Sequence, residues 1–206
     1  MSNGYSIPVG RKQIELVIQR SRFIATATYT PTVPAAKAFI DEISRSYPDA
    51  SHHVYAFAVG YGASVIHGMS DAGEPAGTAG KPTLAVVKGS GLGDVTVVTT
   101  RYFGGTKLGT GGLVKAYTEA AQLVLAEISR VEKVEKRALT FAVPYHLYER
   151  VVRIATHYEG EIQAEDFAAE VTLRLILPDI HFQQFAADLA EISSGRITLD
   201  REEPQV

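Results

Sequence analysis

Hydrophobic positions along this chain change period several times, and each change predicts an element. Ile14 to Gln19 and Phe23 to Thr28 are rich in β-branched and aromatic residues, which predicts two strands with Arg20-Ser21-Arg22 between them. Thr30-Pro31-Thr32-Val33-Pro34 then breaks the pattern. Ala36, Phe39, Ile40, Ile43 and Tyr47 follow at helical spacing, and Pro48 ends that helix. Val54 to Val59 and Ser64 to Ile66 read as a hairpin around Gly60-Tyr61-Gly62. Leu84 to Val87 and Val95 to Thr99 read as two more β-rich runs, with a glycine-rich stretch on each side of the pair. Leu113 to Ile128 has the strongest helical pattern, with Leu113, Ala116, Ala120, Leu123 and Val124 toward the core. Val131 to Lys136 reads as a short charged connector or a strand.

Beyond Arg137 the rhythm is simpler. Strands are expected at Ala138 to Val143, Gly160 to Ala164, Val171 to Leu177 and Arg196 to Leu199. Helices are expected at Tyr145 to Thr156 and Asp179 to Ile192. The order is βαββαβ, the split βαβ unit of ferredoxin-like folds. We therefore expect an α+β chain of two domains, residues 1–136 and 137–206.

Composition narrows the function. The 206 residues are 46% hydrophobic and 21% charged, ordinary for a globular protein. Cysteine is absent, which excludes disulfides and thiolate metal sites and fits a cytoplasmic location. The first residues lack the basic and apolar regions of a signal peptide. No apolar run nears the ~18 residues of a membrane helix, so no membrane partner is expected. Charge is uneven: residues 1–136 hold 14 Lys and Arg against 11 Asp and Glu (net +3), and residues 137–206 hold 6 against 12 (net −6). Between 81 and 115 stand Lys81, Lys88, Arg101, Lys107 and Lys115 against Asp94 alone, so an anionic partner should prefer that region.

Two glycine-rich stretches concentrate the candidate chemistry. The first, Gly68 to Pro82, contains Ser70-Asp71-Ala72-Gly73-Glu74-Pro75-Ala76-Gly77-Thr78-Ala79-Gly80. The second runs from Arg101 through Tyr102-Phe103-Gly104-Gly105-Thr106-Lys107-Leu108-Gly109-Thr110-Gly111-Gly112 into the helix. Such loops let backbone N–H groups turn toward a ligand, and a helix N-terminus behind them favours phosphate or carboxylate. The second is not a Walker A loop, since Thr110 follows Gly109 where Lys-Ser/Thr is required. No nucleophile elbow and no His-Glu-x-x-His pair occurs, and Ser90 between two glycines reads as a turn. His52 and His53, neighbours on a strand, must point to opposite faces and do not chelate together, and His67 adds no spacing typical of a metal site. No metal and no cofactor is expected. We expect Asp71, Glu74 and Thr78 to face Arg101, Lys107 and the Gly109, Gly111 and Gly112 backbone in an anion-binding site. The acids would orient Arg101. At Gly111 or Gly112 we expect a positive φ or neighbouring backbone too close for a Cβ. Tyr102 is a candidate for stacking on a nucleic-acid base.

These motifs, with Ser21-Arg22-Phe23-Ile24 and His52-His53, resemble the signature of the IMPACT/YigZ family, and the likeness extends over nearly the whole chain. The resemblance implies an N-terminal α+β domain sharing a fold with a domain of a small-subunit ribosomal protein and of elongation factor G. It implies a ferredoxin-like C-terminal domain, similar to the last domain of elongation factor G. Eukaryotic relatives regulate translation through protein contacts, so RNA, the ribosome or a translation-related protein is the implied partner. Ala72 stands where the family usually has a second acid, which argues against a paired-carboxylate metal site. The expected function is a cytosolic binding and regulatory protein with an anion or nucleic-acid site at the two loops. The alternatives are an enzyme acting there on a phosphorylated or carboxylated small molecule, and a protein-interaction module with an exposed apolar patch.

Overall fold

The computed structural model describes residues 4–197 and 199. It is a mixed α+β structure of two compact units, Tyr5–Lys133 and the chain from Val134 onward.

In the N-terminal unit a β-hairpin opens the main sheet. β2 (Arg11–Ile18) and β3 (Ser21–Tyr29) are joined by Gln19 and Arg20, both at positive φ, the pair of conformers a two-residue hairpin turn requires. Pairing continues through β6 (Val95–Tyr102), β4 (His52–Val59) and β5 (Ile66–Ser70). The result is an antiparallel five-stranded sheet of order β2-β3-β6-β4-β5. Alternation gives each face its own layer. Phe23, Ala25, Val54, Ala56, Val95 and Val97 turn toward α3 (Gly109–Glu127), which buries Leu113, Ala116, Tyr117, Ala120 and Val124 on them. On the other face α1 (Val33–Ser46), capped by the Thr32 side chain, buries Phe39 and Ile43 against Val98. Small alanines on β3, β4 and α3 let helix and sheet approach closely.

One expectation is corrected here. Leu84 to Val87 is not a strand but part of helix α2 (Gly80–Gly89). The β-branched pair Val86-Val87 argued for strand, but tertiary packing overrides that weak preference. Gly80, Thr83 and Val87, at helical spacing, form the buried face, and Pro82 sits in the first turn where a missing N–H costs little. Likewise α3 begins at Gly109, so Gly109, Gly111 and Gly112 belong to a helix rather than to a loop.

A two-stranded ribbon, β1 (Tyr5–Val9) with β7 (Ser129–Lys133), joins the first and last strands of this unit. Buried Asp94, at φ +50°, is its anchor. Its carboxylate accepts from the Tyr5 hydroxyl (2.8 Å), Lys133 Nζ (2.7 Å) and the Gly60 N–H (2.7 Å). Tyr5 stacks on Tyr61 with ring centroids 5.0 Å apart. Sequence periodicity gave no sign of β1, since Pro8 and Gly10 interrupt a short run.

The C-terminal unit orders its strands β8 (Lys136–Val143), β10 (Val171–Pro178), β9 (Glu161–Phe167), all antiparallel. β8 and β9 are thus parallel with β10 between them, the split βαβ arrangement. Helices α4 (Tyr148–His157) and α5 (Phe182–Ser193) complete the hydrophobic cluster with Leu139, Phe141, Leu173, Leu175 and Phe185. The last expected strand, Arg196 to Leu199, includes Thr198, which lies outside the described residues. No helix among the described residues is long and apolar enough to cross a membrane.

Because this cluster draws only on residues after Val134, residues 134–206 expressed alone should give a cooperative thermal transition by circular dichroism. A broad, sloping melt would show that the unit depends on the rest of the chain.

Candidate functional site

Register brings the first three groups together. Arg101 on β6 pairs with Phe23 on β3 and with His52 on β4, so all three project from the same face of the sheet. Arg101 is 5% exposed, and a cation this deep needs a partner. Glu74, 8% exposed, descends from the first loop to supply it. Arg101 Nη1 donates to Glu74 Oε1 at 2.7 Å, and the Tyr117 hydroxyl of α3 donates to the same oxygen at 2.7 Å. Burial pushes the Tyr117 pKa far up and the adjacent carboxylate adds to it, so the phenol stays a neutral donor. Arg101 Nη2 donates to Ser21 Oγ at 3.3 Å, and that oxygen also accepts from the Gly104 N–H at 3.2 Å. The guanidinium lies against the rings of Phe23 (5.3 Å to centroid) and Phe103 (5.6 Å). Its Nε is buried and has no hydrogen-bond partner among the described residues.

His52 borders this cluster. Its Nδ1 lies 2.9 Å from the Ala72 carbonyl and must carry a proton to donate there. Its Nε2 stands 3.9 Å from Glu74 Oε2, beyond hydrogen-bond range. Ala72 and Gly73, at φ +47° and +89°, bend the loop over this ring. His53 points to the opposite face, with Nδ1 3.1 Å from Thr100 Oγ1, as strand alternation requires. Burial lowers its pKa, with His52 adding to the shift, against a backbone hydrogen bond that raises it.

The other residues of the first loop look inward. Asp71 is corrected from an orienter of Arg101 to a backbone cap: it accepts from the N–H groups of Gly77 (2.8 Å), Ala79 (3.0 Å) and Gly80 (2.7 Å). The last two are the orphan donors at the start of α2. Burial pushes the Asp71 pKa up, but the three N–H donors outweigh it and hold it below the usual value. Thr78 is likewise turned to its own loop, donating to the Pro75 carbonyl at 2.7 Å. A Cβ on Gly80 would lie 2.7 Å from the Ser70 carbonyl carbon, which fixes glycine where the loop meets the helix.

Of the expected constellation, Glu74 and Arg101 therefore meet directly, while Asp71 and Thr78 do not touch the arginine. Lys107, Gly109, Thr110 and Gly111 remain exposed at the start of α3, where no side chain caps the helix and no acid stands in the first turn. The expectation for Gly111 and Gly112 is corrected: neither has a positive φ, the close neighbour of Gly112 is a side-chain atom, Leu108 Cβ, 2.9 Å from where its own Cβ would sit, and Gly111 has open space; the positive φ at the start of α3 falls at Gly109 (+72°). Tyr102 faces away from the cluster, next to Arg101 in sequence but on the other side of the sheet. There its hydroxyl donates to Asp49 (2.8 Å) and its ring lies 5.3 Å from the Arg22 guanidinium. Tyr117 and Ser21 were not among the expected site residues. Nothing local in sequence marks the Tyr117 hydroxyl as a partner of Glu74.

Residues 19–125 match the Impact N-terminal domain, and residues 141–196 match a domain of unknown function, DUF1949. The chain belongs to the IMPACT family. It is 40% identical to the IMPACT family member YigZ of Escherichia coli over 94% of its own length and 95% of that protein's. It is 31% identical to the member YvyE of Bacillus subtilis, covering 88% of this chain and 83% of that one. A crystal structure of a hypothetical protein, 38% identical, superposes with a TM-score of 0.69 over the whole of both chains.

Asp71 ionises more readily folded than unfolded, so its contribution to stability is full above the ordinary carboxylate value of 3.8 and fades as pH falls through the lower folded value. Asp71→Ala should cost about 1–2 kcal/mol at pH 7, as loss of a helix cap does. In urea titrations the gap between the two proteins should shrink as pH drops below 3.8. A gap that stays constant there would show that the charge of Asp71 is not what holds the loop.

Proposed function

We propose that this chain is a binding and regulatory protein of the translation apparatus, and that its N-terminal unit holds a phosphate-bearing partner at the start of α3. The observation that carries this reading is how charge is divided at the two loops. Their acids are consumed internally: Glu74 by Arg101 and Tyr117, Asp71 by three backbone N–H groups. What faces outward is basic or neutral, namely Lys107, Lys115 and the uncapped N–H groups of a 19-residue helix. An open helix N-terminus flanked by lysines suits a phosphate.

The helices reinforce this. Arg130 donates to the Ser90 carbonyl just past α2 and to the Leu125 carbonyl near the end of α3, so the two C-termini lie together. Packed side by side, α2 and α3 then start at the same end, where Asp71 already caps α2 and the positive end of α3 is left open. Arg101 acts beneath this surface as a support, not as a direct ligand. The tie to translation rests on the family likeness, which the geometry does not carry by itself.

An enzymatic reading at the same loops has less support. A general acid or base must reach its substrate, and Glu74 is buried with one oxygen shared by two donors. A hollow of about 910 Å³ on this unit lies instead between α2 and α3, walled by residues such as Pro82, Val86, Val114 and Leu125, with no contribution from Glu74, Arg101, Tyr117 or His52.

Single-stranded RNA of mixed sequence, followed by fluorescence anisotropy over a range of salt, tests the proposal. The full chain should bind with strong salt dependence, and Lys107→Ala should make the slope of log K against log salt shallower by about 0.7. Tyr102→Ala, on the opposite face, should leave both affinity and slope unchanged. No binding by the wild type at low salt, or a Lys107→Ala slope equal to wild type, would overturn it.

A further inference from the structure

The C-terminal unit has a second surface with chemistry of its own. Among the described residues of this unit, helices cover one face of its sheet. Leu139, Phe141 and Val143 of β8 and Val171, Leu173, Leu175 and Leu177 of β10 are buried on that side. The intervening positions, among them Ala138, Thr140, Ala142, Thr172, Arg174 and Ile176, project from the free side. Arg174 lies on the central strand of the three. Its neighbours across the sheet are Thr140 on β8 and Ala164 on β9, both too short to cover or pair a guanidinium. Among the described residues the Arg174 side chain has no hydrogen bond, ion pair or ring contact.

The pairing of β9 with β10 slips by one place between Arg174 and Leu175, leaving Gln163 as the extra residue. A bulge of this kind bends the strand and re-aims side chains. The slip coincides with a depression of about 460 Å³ lined by Lys136, Ala138, Gln163, Ala164, Arg174 and Ile176. Three of the six carry N–H donors, and the other three are small or apolar walls. That mix, and that volume, are those of a small-molecule site. Lys136 is already held by Glu161 at 2.7 Å, so Arg174 is the uncommitted charge.

We propose that the free face of the C-terminal sheet, at the bulge beside Arg174, binds the oxyanion group of a small molecule, a carboxylate or a phosphate. The planar guanidinium takes two oxygens at once, Gln163 offers an amide donor, and Ala138, Ala164 and Ile176 keep the approach open and dry. A base-stacking RNA surface is disfavoured here, because sheets that read single strands do so with aromatic side chains. The outward positions carry Ala, Thr, Arg and Ile instead, and Phe167 packs against Tyr145 and Tyr148. This site lies in a different unit from the α3 surface and does not depend on that reading.

The test is a titration of the full-length, 15N-labelled chain at constant ionic strength, with inorganic phosphate in one series and acetate in the other. Amide shifts at Ala138, Ala164 and Ile176 should saturate in the millimolar range with at least one anion, as expected for a group held by one arginine. A response to phosphate alone assigns a phosphate ligand, and a response to acetate alone a carboxylate. Arg174→Gln should abolish saturation, and Arg174→Lys should weaken it about tenfold, since an ammonium cannot make the bidentate contact. Both variants should melt like wild type, because the side chain is exposed and unpartnered. Lys107→Ala should leave the titration unchanged. No saturable shift with either anion, or an Arg174→Gln chain that responds like wild type, would overturn the proposal.

Discussion

A buried carboxylate and a buried guanidinium, 2.7 Å apart, set the course of the chain around them. Each is costly to bury alone, and each is tolerable only beside the other. Arg101 is placed by the sheet, at the end of β6 and between Phe23 and His52. Glu74 has no strand or helix to place it, so the loop from Asp71 to Ala79 must arrive at the arginine by its own geometry. It turns through positive φ at Ala72 and Gly73, is tied by Asp71 to its own far end, and enters α2 through Gly80, packed on the Ser70 backbone. Tyr117 brings α3 to the same oxygen. Ser21 brings the β2–β3 turn and the Gly104 segment to the same guanidinium. One ion pair thereby fixes two loops, two strands and a helix at one end of the unit.

The opposite end of β6 is built on the same principle with different residues. Asp94, immediately before the strand, gathers Tyr5, Gly60 and Lys133 and so closes the ribbon that begins and ends the unit. The strand thus runs between two buried charge clusters, each recruiting segments distant in sequence. Burial of charge is a poor source of stability but an effective source of specificity, because other arrangements of the same loops would strand a charge in the core. With both ends held in this way, the exposed lysines and N–H groups at the start of α3 sit on a rigid base, as a binding surface requires.

Much of this was legible in the sequence where pattern and packing agree. α1, α3, the β2–β3 hairpin and the βαβ order of the C-terminal unit follow from periodicity and turn residues. The glycine-rich stretches marked the right end of the N-terminal unit, and Glu74 with Arg101 emerged as neighbours. Three features were not legible, each for a physical reason. α2 read as strand because Val86 and Val87 favour β locally, whereas the face it buries is defined by tertiary contact. The pairing of β1 with β7 joins residues more than a hundred apart; a strand near Val131 is one reading of the sequence, but its partner β1 is not, and the signal that ties them is a single acid, Asp94, in a basic stretch. The roles of Asp71 and Tyr117 depend on which way a side chain turns: Asp71 toward three N–H groups of its own loop, and Tyr117 from the third turn of α3 toward Glu74. Motif density alone does not distinguish a residue that holds a ligand from one that holds the loop.

The central claim is that Glu74 and Arg101 act as one unit. A double-mutant cycle in urea, with Glu74→Gln, Arg101→Met and the pair, measures this directly. Each single change should destabilise by about 3 kcal/mol or more, because it leaves the other group buried without its charge partner. The double variant should recover part of that loss, giving a coupling of about 1.5–3 kcal/mol. Additive effects, within about 0.5 kcal/mol, would show that the two residues stabilise the fold independently and would contradict the account.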